Sequence, residues 1–245
     1  MNSFDFQTTT YPLVVAKQNA DSTFSVTDAI GTAFFVSPKI LLTCWHCVNQ
    51  TLPESSFYAI RVKTGETTFS VAKLTHVEQD SFGTDMATCS CEWTPPRHLS
   101  VAKAGANYGD DVWTFAYPYP DKTIKFSKPH FAISGRYLRG YITRDFYYEH
   151  PTLGISEVYE LDMPAPPGSS GSPLLLRSTN DVVGMIIGET EVSTYVAFAS
   201  QDADGVRTPD TLKLHAFGIA YDHDWFVRLS TSLTEGHSLS HHLVA

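Results

Sequence analysis

Positive charge is scarce in this 245-residue chain, with 17 Lys and Arg against 26 Asp and Glu and a formal net charge of −9. Phosphate recognition rests on an excess of Lys and Arg, so this balance argues against a nonspecific nucleic-acid binder. Long apolar runs are missing as well. None approaches the roughly 20 residues that cross a bilayer as a helix, which argues against a membrane partner. The opening MNSFDFQTTTYP has neither a basic stretch nor an apolar one, so it does not read as a secretory leader. Charged residues are few, 18% against 42% hydrophobic, which excludes a disordered composition. A chain of this length buries enough surface to fold without a metal or disulfide staple. The four cysteines, Cys44, Cys47, Cys89 and Cys91, are therefore read as thiols of a cytoplasmic protein.

What is present is a succession of short apolar runs rich in Val, Ile, Phe and Tyr, punctuated by 15 glycines and 14 prolines. That spacing predicts an all-β architecture. The first half offers strands at Leu13–Lys17, Gly31–Val36, Ile40–Thr43, Phe57–Lys63, Thr68–His76 and Asp85–Glu92. The double proline of Trp93-Thr-Pro-Pro-Arg97 breaks the pattern. The second half offers Val112–Tyr117, His130–Ser134, Gly154–Leu161, Ser172–Leu176, Val182–Ile187, Ser193–Ala199 and Leu214–Ala220. The expectation is two six-stranded antiparallel β-barrels, residues 1–100 and 101–221. A C-terminal α-helix and frayed tail follow in 222–245, with Asp222 or Asp224 as cap and Trp225, Phe226, Leu229 and Leu233 at helical spacing.

Three segments carry chemistry. In Pro167-Gly-Ser-Ser-Gly-Ser-Pro173, a glycine two residues before a serine lets two backbone N–H groups converge on one point, where an oxyanion could sit. A serine hydroxyl needs a base, and Leu41-Leu-Thr-Cys-Trp-His46-Cys-Val48 supplies a histidine at the end of an apolar strand. A neutral imidazole needs a carboxylate to hold its tautomer, and Phe82-Gly-Thr-Asp85-Met-Ala-Thr88 supplies one. The bland reading is a buried histidine, a strand-end aspartate and a turn serine. Ser169 and Ser172 are alternative nucleophiles, but Ser170 alone has glycine on both required sides.

GTAFFVSPKILLTCWHCV, TDMATC and LDMPAPPGSSGSPLL resemble the His, Asp and Ser segments of trypsin/chymotrypsin-like serine proteases, including the bacterial HtrA-like branch. The resemblance spans roughly residues 11–233 and implies the chymotrypsin-like two-barrel fold. It also implies His46 as general base, Asp85 as its orienter, Ser170 as nucleophile, and the N–H groups of Gly168 and Ser170 as oxyanion hole. Asp162, Pro164, Ala165, Gly188, Glu189 and Gly218 would surround the primary specificity pocket, favouring an uncharged residue unless Glu189 or Asp162 attracts Lys or Arg. Protein or peptide is the implied substrate, a regulatory partner the implied restraint, and no metal or organic cofactor is required.

Departures from the family are informative. The secreted members' bridge from the cysteine after the histidine would need a partner at Ile30, so Cys47 cannot form it. Ser169 stands where secreted members carry an aspartate that pairs with a freed N-terminus. The chain leaves no room for the peptide-binding domain of HtrA-like members.

Other features have competing readings. Cys44-x-x-Cys47 with Cys89-x-Cys91 could bind zinc, although buried thiols account for them more simply. His237, His241 and His242 read as a solvated tail, and the tyrosines at 117, 119, 137, 141, 147 and 148 as loop and barrel packing. A silent pseudo-protease that binds peptides, or an esterase using the same residues, are the alternative functions.

Overall fold

A computed structural model describes residues 8–21, 23–66, 68–118, 121–125, 128–150, 154–201, 207–224, 226–228 and 231. Trp225, Leu229, Leu233, Tyr119 and the three tail histidines lie outside the described residues.

The first barrel is built from β1 (Thr10–Gln18), β2 (Phe24–Phe35), β3 (Leu41–Cys44), β4 (Ser56–Lys63), β5 (Phe69–Gln79) and β6 (Met86–Cys91). It closes in the order β1-β2-β3-β6-β5-β4, every neighbour antiparallel. A short helix, α1 (Trp45–Val48), follows β3. The second barrel comprises β7 (Asp111–Ala116), β10 (Arg136–His150), β11 (Gly154–Leu161), β12 (Pro173–Leu176), β13 (Val182–Gln201) and β14 (Arg207–Tyr221). It closes as β10-β11-β14-β13-β12-β7, and β8 (Asp121–Lys125) with β9 (Lys128–Ala132) forms a separate two-stranded ribbon. Closure gives every strand of each barrel two neighbours.

The alternation expected of strands is visible in β1. Tyr11 and Leu13 join the main core with Phe34, Phe35 and Ile60. Val14 and Ala16 point the other way, where Ala59 is buried with them and Ile133 packs on top. Both faces of β1 are thus covered, which is why seven consecutive residues, Thr10–Ala16, are buried. Helical backbone at His223, Asp224 and Phe226–Arg228 returns the chain to the first barrel. There the fully buried Phe226 stacks on Phe34 at 6.4 Å between ring centroids.

Several strands differ from the sequence reading. Arg136–His150 forms β10, although no strand was expected there, and its inward positions Leu138, Gly140 and Ile142 alternate with exposed Tyr and Arg. The strand expected at His130–Ser134 lies two residues earlier, as β9. Val182–Ile187 and Ser193–Ala199 are parts of one strand, because the chain absorbs its irregularities as register shifts at Ile186/Gly188 and Val192/Ser193 instead of turning. The histidine expected at a strand end sits in α1.

Candidate active site

Asp85 precedes β6, and its backbone and side chain together organise α1. Its carbonyl accepts the Trp45 N–H at 3.1 Å and its Oδ1 accepts the His46 N–H at 2.8 Å, so the first donors of this short helix find their partners in one residue. The other carboxylate oxygen, Oδ2, lies 2.6 Å from His46 Nδ1. The carboxylate is nearly buried, 4% exposed, whereas the imidazole is 42% exposed at the cleft. Burial alone would lower the His46 pKa, but the Asp85 hydrogen bond and the adjacent Cys47 overcome it and raise the ring above its ordinary value.

Two groups around Asp85 carry no sequence signal. Tyr221, at the end of β14, is buried and accepts the Asp85 N–H on its hydroxyl at 2.7 Å. Cys44, at the end of β3, is fully buried, with its Sγ 3.4 Å from the Ile186 carbonyl. Burial and the neighbouring Asp85 charge push this thiol well above the usual range, so it stays protonated. Both are ordinary core residue types brought to Asp85 from distant strands.

The serine segment arrives from the other barrel. Pro166-Pro167-Gly168-Ser169 is a type II β-turn: the Ser169 N–H bonds the Pro166 carbonyl at 2.9 Å, Pro167 occupies the second position, and Gly168 has φ +96°. Only glycine suits that third position, and a Cβ there would also come within 2.6 Å of the Tyr117 carbonyl. The type II form turns the Pro167–Gly168 peptide plane over relative to type I. Among the described residues neither the Gly168 N–H nor the Ser170 N–H bonds a protein acceptor. Gly171 follows with φ +82°, pressed so closely against Thr32, Thr43 and Cys44 that a Cβ would strike Thr32 O and Thr43 Oγ1.

Thr32 of β2 is the nexus of this contact. Its N–H bonds the Ser170 carbonyl at 2.9 Å, its Oγ1 donates to the Gly168 carbonyl at 2.8 Å, and the same Oγ1 accepts the Tyr117 N–H at 3.1 Å. Its own carbonyl accepts from Thr43 Oγ1 at 2.7 Å. The backbone of Ser170 is thereby fixed beside the histidine helix. No hydrogen bond joins Ser170 Oγ to His46 Nε2 among the described residues. Ser169 and Ser172 are fully buried with unpartnered hydroxyls, whereas Ser170 is half-buried, so neither alternative serine can meet a substrate.

The residue facing Cys47 is Gly31, not Ile30: a Cβ on Gly31 would lie 2.8 Å from Cys47 Sγ and 3.5 Å from its Cβ. The sequence reading placed the partner one residue early, and in a strand one residue reverses the facing side. All four cysteines are free. They do not gather into one metal cluster. The described residues whose ligand atoms come within 4.8 Å of each other are Cys44, His46 and Asp85, and a metal there would have to break the 2.6 Å His46–Asp85 bond.

Around the expected specificity pocket, Ala165 is buried and Pro164 exposed. Gly218 donates its N–H to the Met163 carbonyl at 2.7 Å, and a Cβ on it would come within 3.3 Å of the Ala165 Cβ. Glu189 pairs with Gly218 across β13 and β14, and a Cβ on Gly188 would meet open space. Asp162 accepts the Tyr141 N–H at 2.6 Å from an exposed position. Past Ile186, which bonds Ser172 and Gly171 through its backbone, β13 has no strand on its β12 side among the described residues, and a seam opens beside Ser170.

The trypsin-like peptidase domain model matches residues 31–185. No curated protein matches the chain at the level of sequence. Among solved structures, the Rv3671c protease from M. tuberculosis in its active form is similar over 92% of this chain and 81% of its own, with TM-score 0.58 and 16% identity. The MamO protease domain from Magnetospirillum magneticum is similar over 92% and 97%, with TM-score 0.59 and 14% identity. The HtrA-type protease AlgW with a tripeptide is similar over 94% and 62%, with TM-score 0.59 and 16% identity. These likenesses are to the fold, and the domain match covers more than half of the chain, so the chain belongs to the trypsin-like peptidase family and is a trypsin-like serine protease.

Proposed function

We propose that this protease hydrolyses peptide bonds through an acyl-enzyme on Ser170, with His46 as general base and acid and Asp85 as its orienter. Ser170 Oγ attacks the scissile carbonyl carbon and its proton passes to His46 Nε2. The N–H groups of Gly168 and Ser170 receive the oxyanion, a contribution of about 3–4 kcal/mol to the barrier per donor. His46 then protonates the leaving amine, and water reverses the sequence. The observation that carries this reading is the 2.6 Å contact between a buried carboxylate and His46 Nδ1, which leaves Nε2 for the serine. The Ser170–His46 bond forms as substrate closes the cleft, since such bonds are often long in empty sites.

The buried Ala165 and the open space at Gly188 favour an uncharged side chain before the cut. Gly188→Leu is expected to reject large residues there and keep small ones, measured as a selective loss of kcat/KM. Should cleavage instead follow Lys or Arg, Glu189→Ala identifies the reader. The free thiols suit a reducing, cytoplasmic setting. In such a setting the role that fits is regulatory cutting of one partner protein, with no cofactor.

A fluorophosphonate probe tests the chemistry. It should label Ser170, located by mass mapping of the modified peptide. Ser170→Ala and His46→Ala should abolish labelling and peptide cleavage with circular dichroism unchanged. The absence of a resting Ser170–His46 bond favours a second reading, a silent module that captures peptides. That module would resist the probe and bind equally well after Ser170→Ala. Trapping partners on Ser170→Ala would then name the substrate.

A further inference from the structure

A groove of about 290 Å³ opens between the barrels, walled by Pro12, Arg61, Lys63 and Phe69 on the first and Tyr117 on the second. Arg61 and Lys63 share the outward face of β4, because Ile60 and Val62 turn into the core. The Arg61 guanidinium lies over the Phe69 ring, 3.7 Å from its centroid. Neither cation has a carboxylate within ion-pair distance among the described residues, in a chain where acids outnumber bases 26 to 17. Burial draws the Arg61 pKa below its usual range, a sign that the cation has lost part of its hydration. A half-desolvated cation without a counter-ion is a standing attraction for an anion.

The groove is tied to the nucleophile by strand register. Pro12 pairs with Thr32 across β1 and β2, and Leu13 pairs with Ile60 across β1 and β4, which sets Pro12 beside Arg61. Thr32, Pro12 and Arg61 thus form a row across three strands, all facing the second barrel. Two strand spacings, about 10 Å, separate Thr32 from Arg61. Thr32 itself holds the Ser170 carbonyl at 2.9 Å and Tyr117. The pocket for the residue before the cut lies the opposite way, on β13 and β14. A chain running from Ser170 toward β1 is therefore the leaving side, and an extended peptide covers the distance in about three residues.

Building on the protease reading of Ser170, we propose that this groove is a subsite for an Asp or Glu side chain, roughly two to four residues after the scissile bond. Arg61 and Lys63 hold the carboxylate, and Phe69 keeps the guanidinium in place.

The test uses acetylated, amidated fluorogenic peptides, so that no terminal carboxylate competes. Glu and Gln are compared at each of the four positions after the cut. Glu should raise kcat/KM about tenfold at one or two of them, as a partly desolvated charge pair would. Arg61→Gln with Lys63→Gln should abolish that Glu-over-Gln ratio while leaving turnover of a small ester unchanged, since the ester has no residues on the leaving side. Equal rates for Glu and Gln at all four positions would overturn the proposal. So would a preference that survives the double variant, or an equal fall in ester turnover. If the fluorophosphonate fails to label Ser170, the protease reading has failed separately. The groove is then tested by fluorescence polarisation, where Glu peptide must bind Ser170→Ala more tightly than Gln peptide and lose that advantage in the Arg61→Gln, Lys63→Gln background.

Discussion

At the residue scale, the proposed chemistry turns on His46 with Asp85, and its placement on Thr32. His46 must be neutral to accept a proton, and Asp85 raises its pKa. Activity is therefore expected to fall on acidification with a midpoint above that of a free imidazole. Asp85→Asn should shift that midpoint downward and cut kcat by roughly 10⁴-fold, because the amide no longer selects the tautomer. A pH series of kcat/KM on both proteins checks it. In that mechanism Thr32 is a positioning residue, bonding the Ser170 and Gly168 carbonyls rather than the Ser170 hydroxyl. Thr32→Val removes one hydroxyl but leaves both the Tyr117 N–H and the Gly168 C=O without it, at about 1–3 kcal/mol for each buried group. Thermal denaturation should show the loss, and kcat should fall more than KM changes as the type II turn loosens. Thr32→Ser, which keeps the hydroxyl, should restore both.

At the scale of elements, β2 and α1 face each other with disulfide geometry but one cysteine missing. A Cβ on Gly31 would lie 3.5 Å from the Cys47 Cβ, at the lower edge of the bridged range. Gly31→Cys is expected to oxidise with Cys47 and stabilise the fold by about 3 kcal/mol, given the short loop closed. A mass change on reduction and a raised melting temperature would report it. Failure to oxidise would mean that β2 does not yield the few tenths of an ångström needed near the Ser170 carbonyl, 3.0 Å from that Cβ. The same elements show what sequence conveys. The segments around His46, Asp85 and Ser170 were legible because each is short and its chemistry dictates residue type, as with glycine at the positive φ of Gly168. Tyr221, Cys44 and Thr32 were not, since each reaches the site from a separate strand and looks like any core residue. In β10 the period-2 pattern of Leu138, Gly140 and Ile142 was present, but the intervening tyrosines and arginines obscured it. The Ile30 assignment failed by one residue, the smallest error a strand allows and one that reverses a face.

At the scale of the molecule, His46 and Asp85 stand on one barrel and Ser170 on the other, so anything that joins the barrels also assembles the site. Phe226 is such a joint, carried by the chain after the second barrel and stacked on Phe34 of the first. Phe226→Ala should cost about 3–5 kcal/mol. Denaturant unfolding followed by tryptophan fluorescence should shift in parallel with loss of fluorophosphonate labelling. A large drop in labelling with an unchanged midpoint would show that the barrels hold together without it.

If the proposed chemistry runs at Ser170, the seam along β13 beyond Ile186 limits which proteins can be attacked. Backbone that pairs there must lie straight, rising about 3.3 Å per residue where a helix rises 1.5 Å. Folded helices and strands already engaged in their own sheets do not present such a line. On that mechanism, only a stretch that has come loose can be threaded past Ser170, before any of its side chains is read. A protease working in this way would respond to the shape of its protein substrate as well as to its sequence, and the same substrate would be spared or cut simply by holding one loop in or letting it go.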